Sequence, residues 1–264
     1  MSVRHFLDID QAVVLPTAQL AMVDQAVADL VTRQAMGAVH GPAGLGKTFA
    51  VEQALARRRG QVAACWVSFP SRPTMRLVAA TLLAELTGDP PARRRDRFAL
   101  SAELLEQLAD HRGRDGRERL VVVDEAQQLN RECIEFLRYL HDHRLTRFAL
   151  LLVGGDGTWQ VLSREPMLRS RIYRRVVCEP LSGGQVCALL PRYHPIYATA
   201  SADLLLFVDD HFAHGNLRDW ASFTATAVDL CQSAGADQLD EQIARNAFAL
   251  HGGVRARAAA AGIR

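Results

Sequence analysis

Eight consecutive residues, Gly41 to Thr48 (GPAGLGKT), restrict the folds open to this chain more than any other stretch. They follow a short apolar run, Met36 to His40, and precede helical periodicity over residues 49–59, so the string reads as the turn of a strand–turn–helix unit. Gly41, Gly44 and Gly46 let the backbone bend until successive N–H groups converge, with the positive end of the next helix behind them. Such a cradle takes phosphate. The spacing G-x-x-x-x-G-K-[ST] assigns Gly41, Pro42, Ala43, Gly44, Leu45, Gly46, Lys47, Thr48 and Phe49 to nucleotide binding, with Lys47 on the β- and γ-phosphates and Thr48 on Mg2+. ATP and Mg2+ are therefore the expected cofactors.

The use of basic residues singles out the same place. Of 31 basic side chains, 30 are arginine and the one lysine is Lys47. A compact ammonium on a flexible stem fits a crowded phosphate cradle better than a planar guanidinium does. The 29 acidic groups leave a formal charge of only +2, so affinity for nucleic acid would have to come from local arginine clusters. Five scattered cysteines with no C-x-x-C pair indicate neither a disulfide framework nor a zinc knuckle and fit a reducing compartment. The opening MSVRHFLDID is broken by charge too early for a secretory signal, and no apolar run reaches the roughly 20 residues that span a bilayer. A cytoplasmic protein without a membrane partner is expected.

At 264 residues the chain has room for one large domain with a smaller companion. Helical stretches alternate with short apolar strands, which predicts a parallel sheet covered by helices. Thr17 caps a first helix with Leu20, Val23, Val27, Leu30 and Val31 on one stripe. Further strands are expected at 61–67, 120–124, 148–154 and near 175–178, and further helices at 74–87, 100–112 and 131–143. After Pro180 the strands stop, and helices follow at 182–191, 200–213, 216–233 and 238–250. The expected division is an N-terminal arm (1–16), a nucleotide-binding α/β core (17–180), a helical lid (181–254) and an Arg/Ala-rich tail (255–264).

The run LVVVD (120–124) has the β-branched density of a strand buried on both faces, and it ends in Asp124 and Glu125. Ligands of open α/β sheets bind at the carboxyl ends of strands. Asp124 is thus placed on Mg2+ beside Thr48, and Glu125 as the base that orients and deprotonates an attacking water. An adjacent acid pair favours hydrolysis over transfer to a small-molecule hydroxyl.

Together the phosphate loop, the DE-ending strand, the arginines of LRSRI and the helical segment with GNLRD resemble an AAA+ ATPase over about residues 17–250. The resemblance implies a P-loop α/β fold, a parallel five-stranded sheet of order 5-1-4-3-2 flanked by helices, with a small C-terminal helical lid. It implies a finger arginine reaching a neighbouring subunit's site, Arg171 first and Arg169 in reserve, and a lid arginine, Arg218, that senses the γ-phosphate. A polar sensor is expected after the fourth strand, where this chain has Gly154 and Gly155 and only Asp156 as a candidate. With DEAQQL after the acid strand and about ten residues after the lid, the pattern resembles the AAA+ transposition regulators of the phage Mu B kind. That branch implies a homo-oligomer, ring or helical filament, on double-stranded DNA and a transposase as partner. Alternatives are a helicase loader and a protein-binding nucleotide switch that uses no DNA.

Arg72 and Arg76 with Thr74 follow the second strand, and Arg93, Arg94 and Arg95 lie in the next loop; these are the candidate DNA contacts, through phosphates and without base readout. The same loop also reads as a solvated face, and Arg57 to Arg59 suit a helix C-terminus. His211 and His214 beside Asp209 and Asp210 lack a further ligand at metal spacing. His40 is expected to pack beneath the loop, and Trp66, Trp159 and Trp220 to pack in cores or interfaces.

Overall fold

The computed structural model describes residues 7–90, 96–109 and 116–252. Arg93, Arg94 and Arg95 and the tail 255–264 lie outside the described residues.

The apolar runs form one parallel sheet. Its strands are β1 (Met36–His40), β2 (Val62–Ser68), β3 (Glu118–Asp124), β4 (Ala149–Gly154) and β5 (Ile172–Val177), in the order β2-β3-β4-β1-β5. This is the expected order, read from the other edge. In the central strands β1 and β4 every residue is buried, whereas the edge strands β2 and β5 expose part of theirs. Val121, Val123, Leu150 and Leu152 pack one face against Val78, Leu82, Leu104 and Leu140, and the opposite-facing Val122, Leu151 and Val153 are equally buried. Both faces are therefore covered, as continuous apolar strands demand. The register sets Ser68 beside Asp124 and His40 beside Gly154, which lines up the strands' carboxyl ends.

Among the described residues, the α-helices of the sheet-bearing part are α1 (Ala18–Arg33), α2 (Lys47–Ala56), α3 (Met75–Thr87), α4 (Arg97–Gln107), α5 (Arg131–Asp142), α6 (Thr158–Ser163) and α7 (Pro166–Arg169). Two boundaries differ informatively from the sequence reading. Helix α2 starts at Lys47, inside the glycine string, so Lys47 and Thr48 stand in its first turn. Helix α4 starts at Arg97 because the Asp96 carboxylate accepts from the Phe98 and Ala99 amides at 2.9 and 2.8 Å, an N-cap that the loop-like charge run concealed. The short α6 and α7 have no counterpart among the helices expected from the sequence.

After β5 come α8 (Gly183–Leu189), α9 (Ala202–Val208), α10 (Leu217–Ala234) and α11 (Glu241–Leu250). Ser182 and Gln185 form a capping box at α8, and Ser201, Asn216 and Asp240 cap the next three. The helix expected over 200–213 instead ends in a π-helical turn, Asp209–Ala213, closed by His214 in the left-handed region (φ 50°).

The chain divides into two compact units. One comprises Gln19–Ala43 and Lys47–Cys178; the other comprises the described residues through Ala18, Gly44–Gly46 and those from Glu179 onward. The N-terminal segment belongs to the helical unit, where the Val13 amide donates to Tyr193 O at 2.9 Å and Leu15 packs on a core of Tyr197, Phe212, Trp220 and Phe223.

Candidate active site

Strand β1 delivers the phosphate loop. His40 ends the strand, and Gly41 leaves it at φ 147°, where a Cβ would stand 2.1 Å from the Cys178 carbonyl oxygen. Only glycine passes there. Lys47 is 9% exposed, and its Nζ donates to Pro42 O at 2.6 Å. An ammonium has three donors, so two have no acceptor among the described residues. Burial lowers its pKa, and the negative groups near it, Asp156, Glu125 and Asp124 among them, partly restore it. A buried cation with unused donors at the start of a helix fits an anionic phosphate.

At the end of β3 the Asp124 carboxylate accepts from Thr48 Oγ1 at 3.1 Å through one oxygen and from the Glu125 amide at 2.8 Å through the other. The Asp124 pKa is raised, chiefly by burial, although these two bonds act to lower it. A hydroxyl and a half-buried carboxylate side by side make an all-oxygen pair of the kind that holds Mg2+, whose charge would offset the burial. Glu52, one turn along α2 from Thr48, has its pKa raised by burial and by the charge of Asp124. Glu125 takes a left-handed backbone (φ 55°) directly after the strand.

The turn beyond the acid pair supplies a residue that the motifs do not contain. Gln127 donates through Nε2 to a Glu125 carboxylate oxygen, while its Oε1 accepts from the Gly155 amide at 2.9 Å and lies 3.2 Å from Thr158 Oγ1. DEAQQL announces two amides in sequence, yet nothing in it says which one reaches the loop after β4. Asp156, the candidate sensor, is exposed there, and its charge is felt at both Lys47 and His40. His40, at the end of β1, is buried and stacks on Trp159 at 5.9 Å. Arg175, unremarked in the sequence, lies over Trp159 at 3.9 Å and donates from Nε to His40 Nε2 at 2.8 Å.

The arginines separate. Arg171 is held within its own chain: its Nε lies 2.8 Å from the Asp142 carboxylate and its Nη1 donates to Met167 O at 2.9 Å. Arg169, at the end of α7, is exposed, and its guanidinium has no partner among the described residues. Arg218 is exposed in the first turn of α10, where its amide donates to Asn216 Oδ1 at 3.0 Å and to Gly44 O at 2.9 Å within the helical unit. Arg72 is exposed in the left-handed region (φ 53°), an uncommon setting for a side chain of its size, and Arg76 is exposed on α3. Thr74 is the N-cap of α3, with its oxygen accepting from the Leu77 amide at 3.2 Å. The Pro73 carbonyl next to Arg72 accepts from Asn130 Nδ2 at 2.8 Å and Cys133 Sγ at 3.2 Å, which fastens this loop to the start of α5.

A family model described as an AAA domain matches residues 31–162, half of the chain. No curated protein matches the sequence. Among solved structures, the ORC2 protein of Aeropyrum pernix aligns with a TM-score of 0.66 at 17% identity over 91% of this chain and 70% of that one. Cdc6p of Pyrobaculum aerophilum aligns with a TM-score of 0.67 at 17% identity over 88% and 66%. The Thermotoga maritima RuvB Holliday junction branch migration motor aligns with a TM-score of 0.56 at 14% identity over 88% and 68%. The chain spans about two thirds of each of these proteins, and at such identities the likeness is one of fold.

Proposed function

Because the chain belongs to the AAA family of P-loop ATPases, we propose that it binds double-stranded DNA without sequence preference, oligomerises on it in an ATP-dependent way, and recruits or stimulates a transposase there. The observation that carries the nucleotide chemistry is the contact of Thr48 Oγ1 with Asp124 Oδ2, which joins the phosphate loop to the acid pair.

The residues divide the reaction among them. Lys47 and the loop amides bind the β- and γ-phosphates, and Thr48 and Asp124 hold Mg2+. Held by these residues, Mg2+ would supply positive charge to offset the negative charge developing on the phosphate oxygens. Glu125, one residue beyond Asp124, accepts the proton of the attacking water. Arg169 and Arg171 are the candidates to reach a neighbour's γ-phosphate. Arg169 has no bond to give up, whereas Arg171 would have to leave Asp142 and Met167. Arg218 is proposed as the lid residue that senses the nucleotide.

The DNA reading is supported by Arg72 and Arg76, exposed beside a loop that Asn130 and Cys133 fasten. Such arginines suit phosphates, and each contact adds salt-sensitive affinity without reading bases. One solved structure of similar fold is named a Holliday junction branch migration motor. Electron microscopy of the protein on long duplex DNA, with and without ATP, tests this. Filaments or rings on DNA that need nucleotide and dissolve as salt rises are expected; assemblies indifferent to DNA would replace this reading with that of a protein-binding switch.

A further inference from the structure

We infer that Gln127 is the positioning residue of the Glu125 carboxylate and ties it to the turn that follows β4; this rests on the hydrolytic reading of the site. The orientation of the amide is fixed by its neighbours. Its oxygen faces the Gly155 N–H, a donor that cannot be anything else, so its NH2 must face Glu125 and requires an acceptor there, which the ionised carboxylate provides. Among the described residues, no other side chain is bonded to that carboxylate.

The surroundings are built to admit this amide. At Gly154 a Cβ would stand 2.4 Å from Gln127 Oε1 and 2.2 Å from Thr158 Oγ1, so a side chain at the end of β4 would evict both. Thr158 is fully buried, and its single hydroxyl hydrogen chooses between Gly155 O at 2.8 Å and Gln127 Oε1 at 3.2 Å. The strand thus ends in glycines instead of a polar sensor side chain, and the fixed Gly155 N–H acts on Glu125 through the amide of Gln127. Glu125, in its left-handed conformation, is held from two sides: its amide by Asp124 and its carboxylate by Gln127. A shift of the turn that carries Asp156 moves Gln127, and the attacking water's base moves with it.

The test is steady-state ATP hydrolysis with ATP binding measured alongside, for Gln127→Met, Gln127→Asn, Glu125→Gln and the pair Glu125→Gln with Gln127→Met. Methionine keeps the length and removes both bonds; asparagine is too short to span them. Each Gln127 variant should lose kcat by roughly tenfold to a hundredfold while KM and ATP affinity stay within about twofold, since only the base is displaced. Glu125→Gln should lose on the order of a hundredfold or more, and adding Gln127→Met should lose nothing further. Wild-type kcat in both Gln127 variants beside a slow Glu125→Gln would overturn this inference alone, as would losses that multiply in the pair. Wild-type turnover in Glu125→Gln would overturn the hydrolytic reading itself, and this inference with it.

Discussion

In the helical unit the buried polar side chains hold one another. Thr224 Oγ1 donates to Trp220 O at 2.7 Å, which commits its only hydrogen, so the Tyr197 hydroxyl 2.7 Å away is the donor to Thr224. Asp209 Oδ1 accepts from the Gly215 amide at 2.7 Å and from Trp220 Nε1 at 3.0 Å. At the phosphate loop of the α/β unit, Lys47 and Asp124 stay incompletely bonded, unlike Thr158 and His40 nearby, which have partners. Lys47 spends one donor of three, and Asp124 is held by one hydroxyl and one amide while burial still raises its pKa. Burial alone therefore does not distinguish a site from a scaffold. What distinguishes them is whether the chain itself completes the hydrogen bonds, since a buried group left incomplete costs free energy that a ligand can recover.

The sharpest way to break this comparison is Lys47→Ala. If the lysine's unused donors are meant for phosphate, the variant loses ATP affinity on the order of a thousandfold while its melting temperature without nucleotide is unchanged or higher, because a poorly paired buried charge has been removed. Isothermal titration and thermal melts measure the two effects. Retained tight binding would put the phosphate elsewhere, and a large fall in melting temperature would make Lys47 part of the scaffold.

Asp209→Ala is the converse experiment in the helical unit. It strands the Trp220 Nε1–H and the Gly215 N–H in a buried place, at a cost of about 2–4 kcal/mol by denaturant titration. The π-helical turn at Asp209–Ala213 should loosen with it, because the Asp209 carboxylate holds Gly215, directly after the closing His214, and Trp220. A change below about 0.5 kcal/mol would mean that water satisfies those donors and that the unit is less self-contained than its bond pattern implies.

Much of this contrast was legible in the residues. Continuous apolar runs located β1, β3 and β4, because a strand buried on both faces leaves no room for a polar residue, and GPAGLGKT and LVVVDE carry their chemistry in local order. The sheet order came from the resemblance and stands. What escaped depends on contacts between distant segments. Gln127 to Gly155 spans 28 residues, Arg171 to Asp142 spans 29, and Arg175 to His40 spans 135. No periodicity encodes such pairings. The edge strand β5 begins at Ile172, three residues before the run expected near 175–178, because Tyr173 and Arg174 are exposed and break the apolar pattern; Arg174 pairs with Asp29, and Arg175 covers Trp159. The π-helical turn was hidden for a similar reason: Asp209 looks like a solvated helix residue until Gly215 and Trp220 are seen to claim it.

The smallest effect, and the finest comparison, lies in two histidines used as acceptors, one in each unit. His40 Nε2 receives Arg175 Nε, and His194 Nδ1 receives the Ile196 amide at 3.2 Å while the other ring nitrogen meets Asp10 O at 2.9 Å. A ring nitrogen that accepts cannot carry a proton, and burial lowers both pKa values from 6.5. Below pH 6.5 the unfolded chain takes up protons that the folded chain refuses, so each histidine's contribution is lost as pH falls through its depressed folded value. Asp124, Asp209 and Glu52, raised by burial, act in the opposite sense at acid pH, so the informative quantity is a difference between proteins. His194→Asn keeps a side-chain oxygen able to accept from Ile196 and removes the titration. Any stability advantage of wild type over this variant at pH 7 should shrink as the pH is lowered to 5, and saturating ATP should leave that trend unaltered. The corresponding trend for His40→Asn should weaken with ATP bound, because phosphate charge beside Lys47 favours the protonated ring. Equal responses of both histidines to ATP would show that the two units do not divide scaffold from site in the way that their hydrogen bonds suggest.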